Sequence, residues 1–213
     1  MLLEQEKGTK TLDFSSQYPI VETFHSIQGE GFWSGHNAFF IRLAGCDVHC
    51  PWCDQKETWS TKNYPLLTGK ELLKKISGIQ TEHIIITGGE PLLHNLYPLT
   101  TMLQGSGAKL HLETSGVHPF TGYFDWVTFS PKPSYKLPHE TIYDHVSELK
   151  VVIDSEKDLI WAEAEAKKIS VDIPKYLQPQ WNNLQSQELV FQYLLKNPQW
   201  RLSLQTHKYL GIR

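Results

Sequence analysis

The chain has 213 residues, 20 Lys plus Arg against 23 Asp plus Glu, 40% hydrophobic residues and 3 cysteines. A chain of this length buries roughly 70% of the surface its unfolded form exposes and suits one domain. A net charge of −3, with lysines scattered apart from the Lys74–Lys75 pair, provides no basic field for duplex nucleic acid. No apolar run approaches the ~18 residues of a membrane span, and the charged start MLLEQEKGTK lacks the apolar core of a signal peptide. A cytoplasmic protein with neither nucleic-acid nor membrane partner is therefore expected. In that setting three cysteines exclude a disulfide framework and point to metal or redox chemistry.

Residues 1–17 are polar and aperiodic and read as a tail, leaving 18–213 as a single domain. Strand-like runs follow at 38–44, 83–87, 108–113, 125–130, 148–153, 174–178 and 200–205, several of them nearly continuously apolar, as parallel strands covered on both faces are. Helix-like segments lie between them at 69–77, 95–105, 155–169 and 185–196. The third opens with Asp154 or Ser155 as a cap and with Glu156 and Asp158 in its first turn. Strands alternating with helices predict a parallel α/β sheet. A complete eight-unit barrel takes about 250 residues, so an open, partial (β/α)6-type barrel fits better.

Ligands of parallel α/β folds bind at the carboxyl ends of the strands. Here almost every strand-like run empties into a small or polar cluster: Gly45-Cys46, Thr87-Gly88-Gly89-Glu90-Pro91, Glu113-Thr114-Ser115-Gly116, Ser130-Pro131-Lys132-Pro133, Asp154, Gln178-Pro179-Gln180 and Gln205-Thr206-His207. Turn chemistry explains any one of them; seven in succession favour a shared rim.

Cys46, Cys50 and Cys53 stand as C-x3-C-x2-C after the first of these runs. Structural zinc wants four protein ligands, and His49, adjacent to Cys50, is badly placed to complete a tetrahedron. An iron–sulfur cube held by three cysteines keeps one iron open to an exogenous ligand. The spacing resembles the signature of the radical S-adenosylmethionine superfamily. That resemblance implies a [4Fe-4S] cluster whose open iron takes the amino and carboxylate groups of S-adenosylmethionine. One electron then cleaves the cofactor to methionine and a 5′-deoxyadenosyl radical. Gly88-Gly89-Glu90-Pro91 is similar to the element with which the superfamily receives the methionine amino group; the glycines would let backbone approach a ligand and Glu90 would accept from the ammonium.

The stretch from Tyr18 to Gly31, the strand Ala38 to Cys46, the elements Ser130-Pro131-Lys132, Glu148-Leu149-Lys150 and Tyr176 to Pro179, and the ending Gln205 to Gly211 resemble the 7-carboxy-7-deazaguanine synthase family. The resemblance runs from Tyr18 to Arg213. It implies conversion of 6-carboxy-5,6,7,8-tetrahydropterin to 7-carboxy-7-deazaguanine with loss of ammonia, in queuosine and 7-deazaguanine biosynthesis. It also implies an electron donor such as a flavodoxin or ferredoxin, and a homodimer. Substrate contacts are implied at Ile27, Gln28, Gly29, Arg42, Thr87 and Arg213. Cofactor contacts are implied at Trp52, Asp54, Gly89, Glu90, Glu113, Ser130, Pro131, Lys132, Gln178, Pro179 and Gln180. His207 is a candidate proton shuttle.

Arg42, between Ile41 and Leu43, needs an anionic partner irrespective of family, either a substrate carboxylate or an internal Glu22 or Glu30. The family usually carries Thr or Ser two residues after the last cysteine, as a magnesium ligand. This chain has Gln55, a bulkier oxygen donor, so a changed or lost Mg2+ site is expected. Two other readings compete: a small glycyl-radical activating enzyme, which shares the cysteine loop but not both chain ends, and a zinc-stabilised binding module.

Overall fold

Alternate residues along each interior strand point to opposite faces of one sheet, and this alternation positions everything that follows. A computed structural model describes residues 13–132 and 136–213. Most of the expected tail, residues 1–12, lies outside them, as does Pro133.

Nine strands form one sheet: β1 (Gln17–Ile27), β2 (Asn37–Leu43), β3 (Leu66–Thr68), β4 (His83–Gly88), β5 (Lys109–Thr114), β6 (Trp126–Phe129), β7 (Glu148–Ile153), β8 (Lys175–Pro179) and β9 (Trp200–Leu202). Their order is β3-β1-β2-β4-β5-β6-β7-β8-β9. From β2 to β9 every pairing is parallel, whereas β1 runs antiparallel to both β2 and β3. The sheet is an open α/β barrel, as expected. The strands β1 and β3 were not anticipated. In β1 a half-exposed outer strand is diluted by Glu22, Thr23, His25 and Ser26, so it lacks the apolar run that a strand covered on both faces shows.

The helices α1 (Gly69–Ile76), α2 (Tyr97–Leu103), α3 (Glu156–Ala166) and α4 (Leu184–Lys196) occupy crossovers, and α5 (Thr206–Leu210) follows β9. The starts of α1, α3 and α4 obey capping chemistry. The Thr68 hydroxyl accepts from the Glu71 N–H while the Glu71 carboxylate accepts from the Thr68 N–H at 2.8 Å. Asp158 accepts from the Ser155 N–H at 2.8 Å, and Asn183 accepts from the N–H groups of Gln185 and Ser186. The link from β6 to β7 carries a 3-10 turn, Glu140–His145.

One face of the strands, with Phe39, Ile41, Leu43, Ile84, Ile86, Leu110 and Leu112, packs against the helices in the main core. The other face lines the barrel. Register pairs Arg42 with Thr87 and Phe40 with Ile85, Ile85 with His111, and Glu113 with Thr128. Polar residues therefore stack on the interior toward the strands' carboxyl ends.

Candidate active site

A cavity of about 800 Å3 opens at those carboxyl ends, large enough for a cofactor and a small substrate together. Its walls bring together residues far apart in sequence: Cys46, Cys50, Cys53, Trp52, Asp54 and Gln55; Ile27, Gln28, Gly29 and Arg42; Thr87, Gly89, Glu90 and Glu113; Ser130 and Lys132; Gln178, Pro179 and Gln180; His207 and Arg213. Of the residues expected to contact cofactor or substrate, Pro131 alone does not line it, and of the clusters that end the strands Asp154 stays outside it.

The cysteine loop follows β2. Cys50 is buried and Cys46 and Cys53 are half-buried, all as free thiols, packed in one patch with Val48, Val117 and Trp52. Burial pushes the Cys50 thiol up to about 11 and raises Cys46 as well, so metal ligation must displace protons. Zinc–sulfur bonds of about 2.3 Å draw thiolates tightly around one point. Among the described residues no three His, Cys, Asp or Glu side chains converge in that way. A cube whose irons occupy separate corners spreads its thiolates wider, and three thiols sharing one cavity wall suit it. His49, the only histidine within the motif, has φ of 55° and packs at a tilt against Trp59 with ring centroids 4.5 Å apart.

The Gly-Gly-Glu-Pro element also has a structural role. A Cβ on Gly88 would lie 2.1 Å from the Leu43 carbonyl oxygen, and one on Gly89 would lie 2.2 Å from that of Gly45. The glycines thus admit the neighbouring strand end, to which Gly89 N–H and Glu90 N–H donate at 2.9 and 2.8 Å. Glu90 is 1% exposed. Its Oε1 accepts from the Leu92 N–H at 3.0 Å and the Thr114 hydroxyl at 2.5 Å. Its Oε2 accepts from the Ser115 N–H at 2.8 Å and from the Ser115 hydroxyl. Four donors fill the roughly four acceptor positions of a carboxylate, so Glu90 ties the rim together while it lines the cavity.

Arg42 also finds its anion within the chain. Its Nε lies 3.0 Å from Glu22 Oε1, while Arg213 donates to the second Glu22 oxygen at 2.7 Å. Two guanidinium groups thus share the one Glu22 carboxylate. Glu113 on β5 joins two of the expected substrate contacts, accepting from Gln28 Nε2 at 2.9 Å and from the Thr87 hydroxyl at 2.8 Å. Gln28 Oε1 accepts from the Glu30 N–H, so one amide N–H and one lone pair of Gln28 remain for a ligand.

The chain ends meet here. Gly29 O accepts from the Thr206 N–H at 3.0 Å and from its hydroxyl at 2.9 Å, and a Cβ on Gly29 would lie 2.2 Å from His207 Nδ1. Burial holds His207 below the usual histidine range. Lys208 ties Asp54 of the cysteine loop to α5 at 2.5 Å. On the opposite wall Lys132 donates to the Ser130 hydroxyl at 2.6 Å and lies 5.5 Å from the Trp52 ring; burial lowers its pKa. Gln178 Oε1 accepts from Ser203 at 2.8 Å.

Among the cavity residues given no ligand role from the sequence are Lys150 and Glu30. Lys150 Nζ pairs with Glu30 Oε2, and Gln205 donates to Glu30 Oε1 at 2.9 Å. Burial works against both charges, but their mutual attraction lowers the Glu30 pKa and raises that of Lys150. The signal was present, a lysine inside the apolar strand Leu149-Lys150-Val151, the same anomaly that marked Arg42.

An open parallel barrel whose rim carries three free thiols beside a large polar cavity defines a radical S-adenosylmethionine enzyme, with a [4Fe-4S] cluster and S-adenosylmethionine as its cofactors. A family profile described as "4Fe-4S single cluster domain" matches residues 27–169. A Synechocystis sp. protein named 7-carboxy-7-deazaguanine synthase is 59% identical over 196 residues, covering 92% of this chain and 94% of its own. An Escherichia coli (strain K12) protein of the same name is 34% identical over 226 residues, with 92% and 99% covered. The solved structure titled "Crystal structure of QueE from Escherichia coli" superposes with a TM-score of 0.80 at 32% identity, over 88% of this chain and 93% of that one. The chain belongs to the 7-carboxy-7-deazaguanine synthase family.

Proposed function

We propose that the protein converts 6-carboxy-5,6,7,8-tetrahydropterin to 7-carboxy-7-deazaguanine with loss of ammonia, in 7-deazaguanine and queuosine biosynthesis. The observation that carries the reading is the relationship to proteins of that name over more than nine-tenths of both chains. When bound, the cluster and S-adenosylmethionine supply a carbon-centred radical for hydrogen abstraction.

The chain's own task is to bind, orient and exclude water. Cys46, Cys50 and Cys53 hold the cluster. Trp52, Asp54, Ser130, Lys132 and Gln178 to Gln180 surround the cofactor, their hydroxyl and amide groups suited to ribose and adenine edges. Arg42 and Arg213, whose guanidinium groups share Glu22 and line the cavity, have further N–H donors suited to a substrate carboxylate. Gln28 presents its remaining donor and acceptor to the pterin, with Ile27, Gly29 and Thr87 beside it. His207, kept neutral by burial, is available to move a proton.

Gln55 lines the cavity where an Mg2+ ion is expected in relatives, and its longer side chain supports a changed or lost ion. An electron donor such as a flavodoxin or ferredoxin and a homodimer belong to the same proposal. Leu184, Phe191 and Leu195, exposed on α4, support self-association, which light scattering tests.

Anaerobic reconstitution, reduction and incubation with S-adenosylmethionine and the pterin should yield 7-carboxy-7-deazaguanine. Formation of 5′-deoxyadenosine without that product would reject the substrate and spare the enzyme class. Cys50→Ala should abolish both products.

A further inference from the structure

The segment joining β1 to β2, residues 28–36, turns inward and crosses the barrel. It closes on itself through Gln28 N–H to His36 O at 2.8 Å and Gly35 N–H to Gln28 O at 2.7 Å. Its upper edge, Gln28 to Glu30, lines the cavity. Its lower edge fills the barrel beneath: the Trp33 ring centroid lies 4.7 Å from that of His83, 5.6 Å from His111 and 5.5 Å from Trp126. The segment is therefore the floor of the cavity.

Glu148 holds this floor from β7 and is not itself among the cavity-lining residues. Its Oε2 accepts from the Phe32 N–H at 2.8 Å and its Oε1 from the Thr128 hydroxyl at 2.7 Å. Gly31, at φ of +65°, leaves bare backbone against it, since a Cβ there would lie 2.4 Å from Glu148 Oε1. Glu148 is 3% exposed, and among the described residues no ion pair reaches it; the nearby ammonium of Lys150 pairs with Glu30. A buried carboxylate without an ion pair is costly to maintain, and the floor is what it grips. Two residues further along the same face of β7, Lys150 grips the floor again through Glu30.

We propose that Glu148 is a positioning residue for substrate binding: it sets the height of the 28–36 floor, so that Gln28 and Gly29 meet the pterin and Glu30 meets Lys150. The inference rests on the reading that Gln28 and Gly29 contact the substrate. The reconstituted holoenzyme tests it with Glu148→Ala, Glu148→Gln, Thr128→Val and Gln28→Ala. Readouts are KM for 6-carboxytetrahydropterin, KM for S-adenosylmethionine, kcat, and product formed per 5′-deoxyadenosine.

Glu148→Ala should raise the pterin KM about tenfold and lower the product ratio, while KM for S-adenosylmethionine stays within about twofold. Glu148→Gln should recover most of that loss, because an amide oxygen accepts from the Phe32 N–H and the amide nitrogen donates to the Thr128 oxygen. Thr128→Val, which removes one anchor of the carboxylate, should raise the pterin KM by about threefold. An unchanged pterin KM in Glu148→Ala, or equal rises in both KM values without rescue by Gln, would overturn the inference. Should Glu148→Ala fail to fold, an unchanged pterin KM in Thr128→Val would overturn it equally. Gln28→Ala separates the two layers: if it leaves the pterin KM unchanged, the substrate-contact reading itself fails.

Discussion

Glu90 offers a quantitative separation between a side chain that builds the site and one that serves a ligand. Its carboxylate accepts from two backbone N–H groups, Leu92 and Ser115, and from two hydroxyls, Thr114 and Ser115. In Glu90→Ala the hydroxyls can rotate toward other acceptors but the N–H groups cannot. Each buried donor left unsatisfied costs about 1–3 kcal/mol, so the expected loss is about 2–6 kcal/mol. That is a large fraction of a total stability of about 5–15 kcal/mol. Glu90→Gln keeps one acceptor oxygen and deprives one of the two N–H groups, for a loss of about 1–3 kcal/mol. Urea unfolding of the metal-free protein, followed by far-ultraviolet circular dichroism, measures both. The midpoints should fall in the order parent, Gln, Ala at constant slope. If Glu90→Ala stays within about 1 kcal/mol of the parent, the saturated-carboxylate argument fails. Loss of S-adenosylmethionine affinity in Glu90→Gln with an unchanged midpoint would return Glu90 to the ligand.

Burial holds His111 down to about 3, so between that value and the unfolded pKa near 6.5 the unfolded chain binds the extra proton. Stability is therefore complete above about pH 6.5 and falls as pH drops, by about 2 kcal/mol at pH 5 from this residue; His111→Phe should flatten the urea midpoint between pH 7 and pH 5, and an equally steep profile would refute the assignment. Gly88 has φ of +135°, and a methyl group there would meet the Leu43 carbonyl oxygen at 2.1 Å. Gly88→Ala should thus cost about 3 kcal/mol or more, seen as a lowered Tm or loss of soluble protein, and a Tm within a degree of the parent would contradict the packing described. Magnesium titration of the rate should show little dependence if Gln55 fills the ion's volume; a strong requirement would reject that reading.

Much of the architecture was legible because its causes are local. Apolar runs such as Ile84-Ile85-Ile86 and Leu149 to Ile153 announce strands covered on both faces, and Ser155 announces a helix start. Spacing alone marked Cys46, Cys50 and Cys53, and the clusters after each strand marked the rim. The strand β1 escaped because a half-exposed outer strand has no such run.

Partnership was not legible, because it depends on which residues the sheet register sets face to face. From the sequence Arg42 needs an anion, Glu90 offers acceptors and Glu148 is one carboxylate among many. The tertiary structure decides that Glu22 serves Arg42 and Arg213 together, that four donors have already claimed Glu90, and that Glu148 grips a loop 116 residues away. The residue types and their periodicity determined the parallel sheet and the three-thiol motif. Only the fold, by bringing distant segments such as Gly29 and His207 together, made one cavity from them.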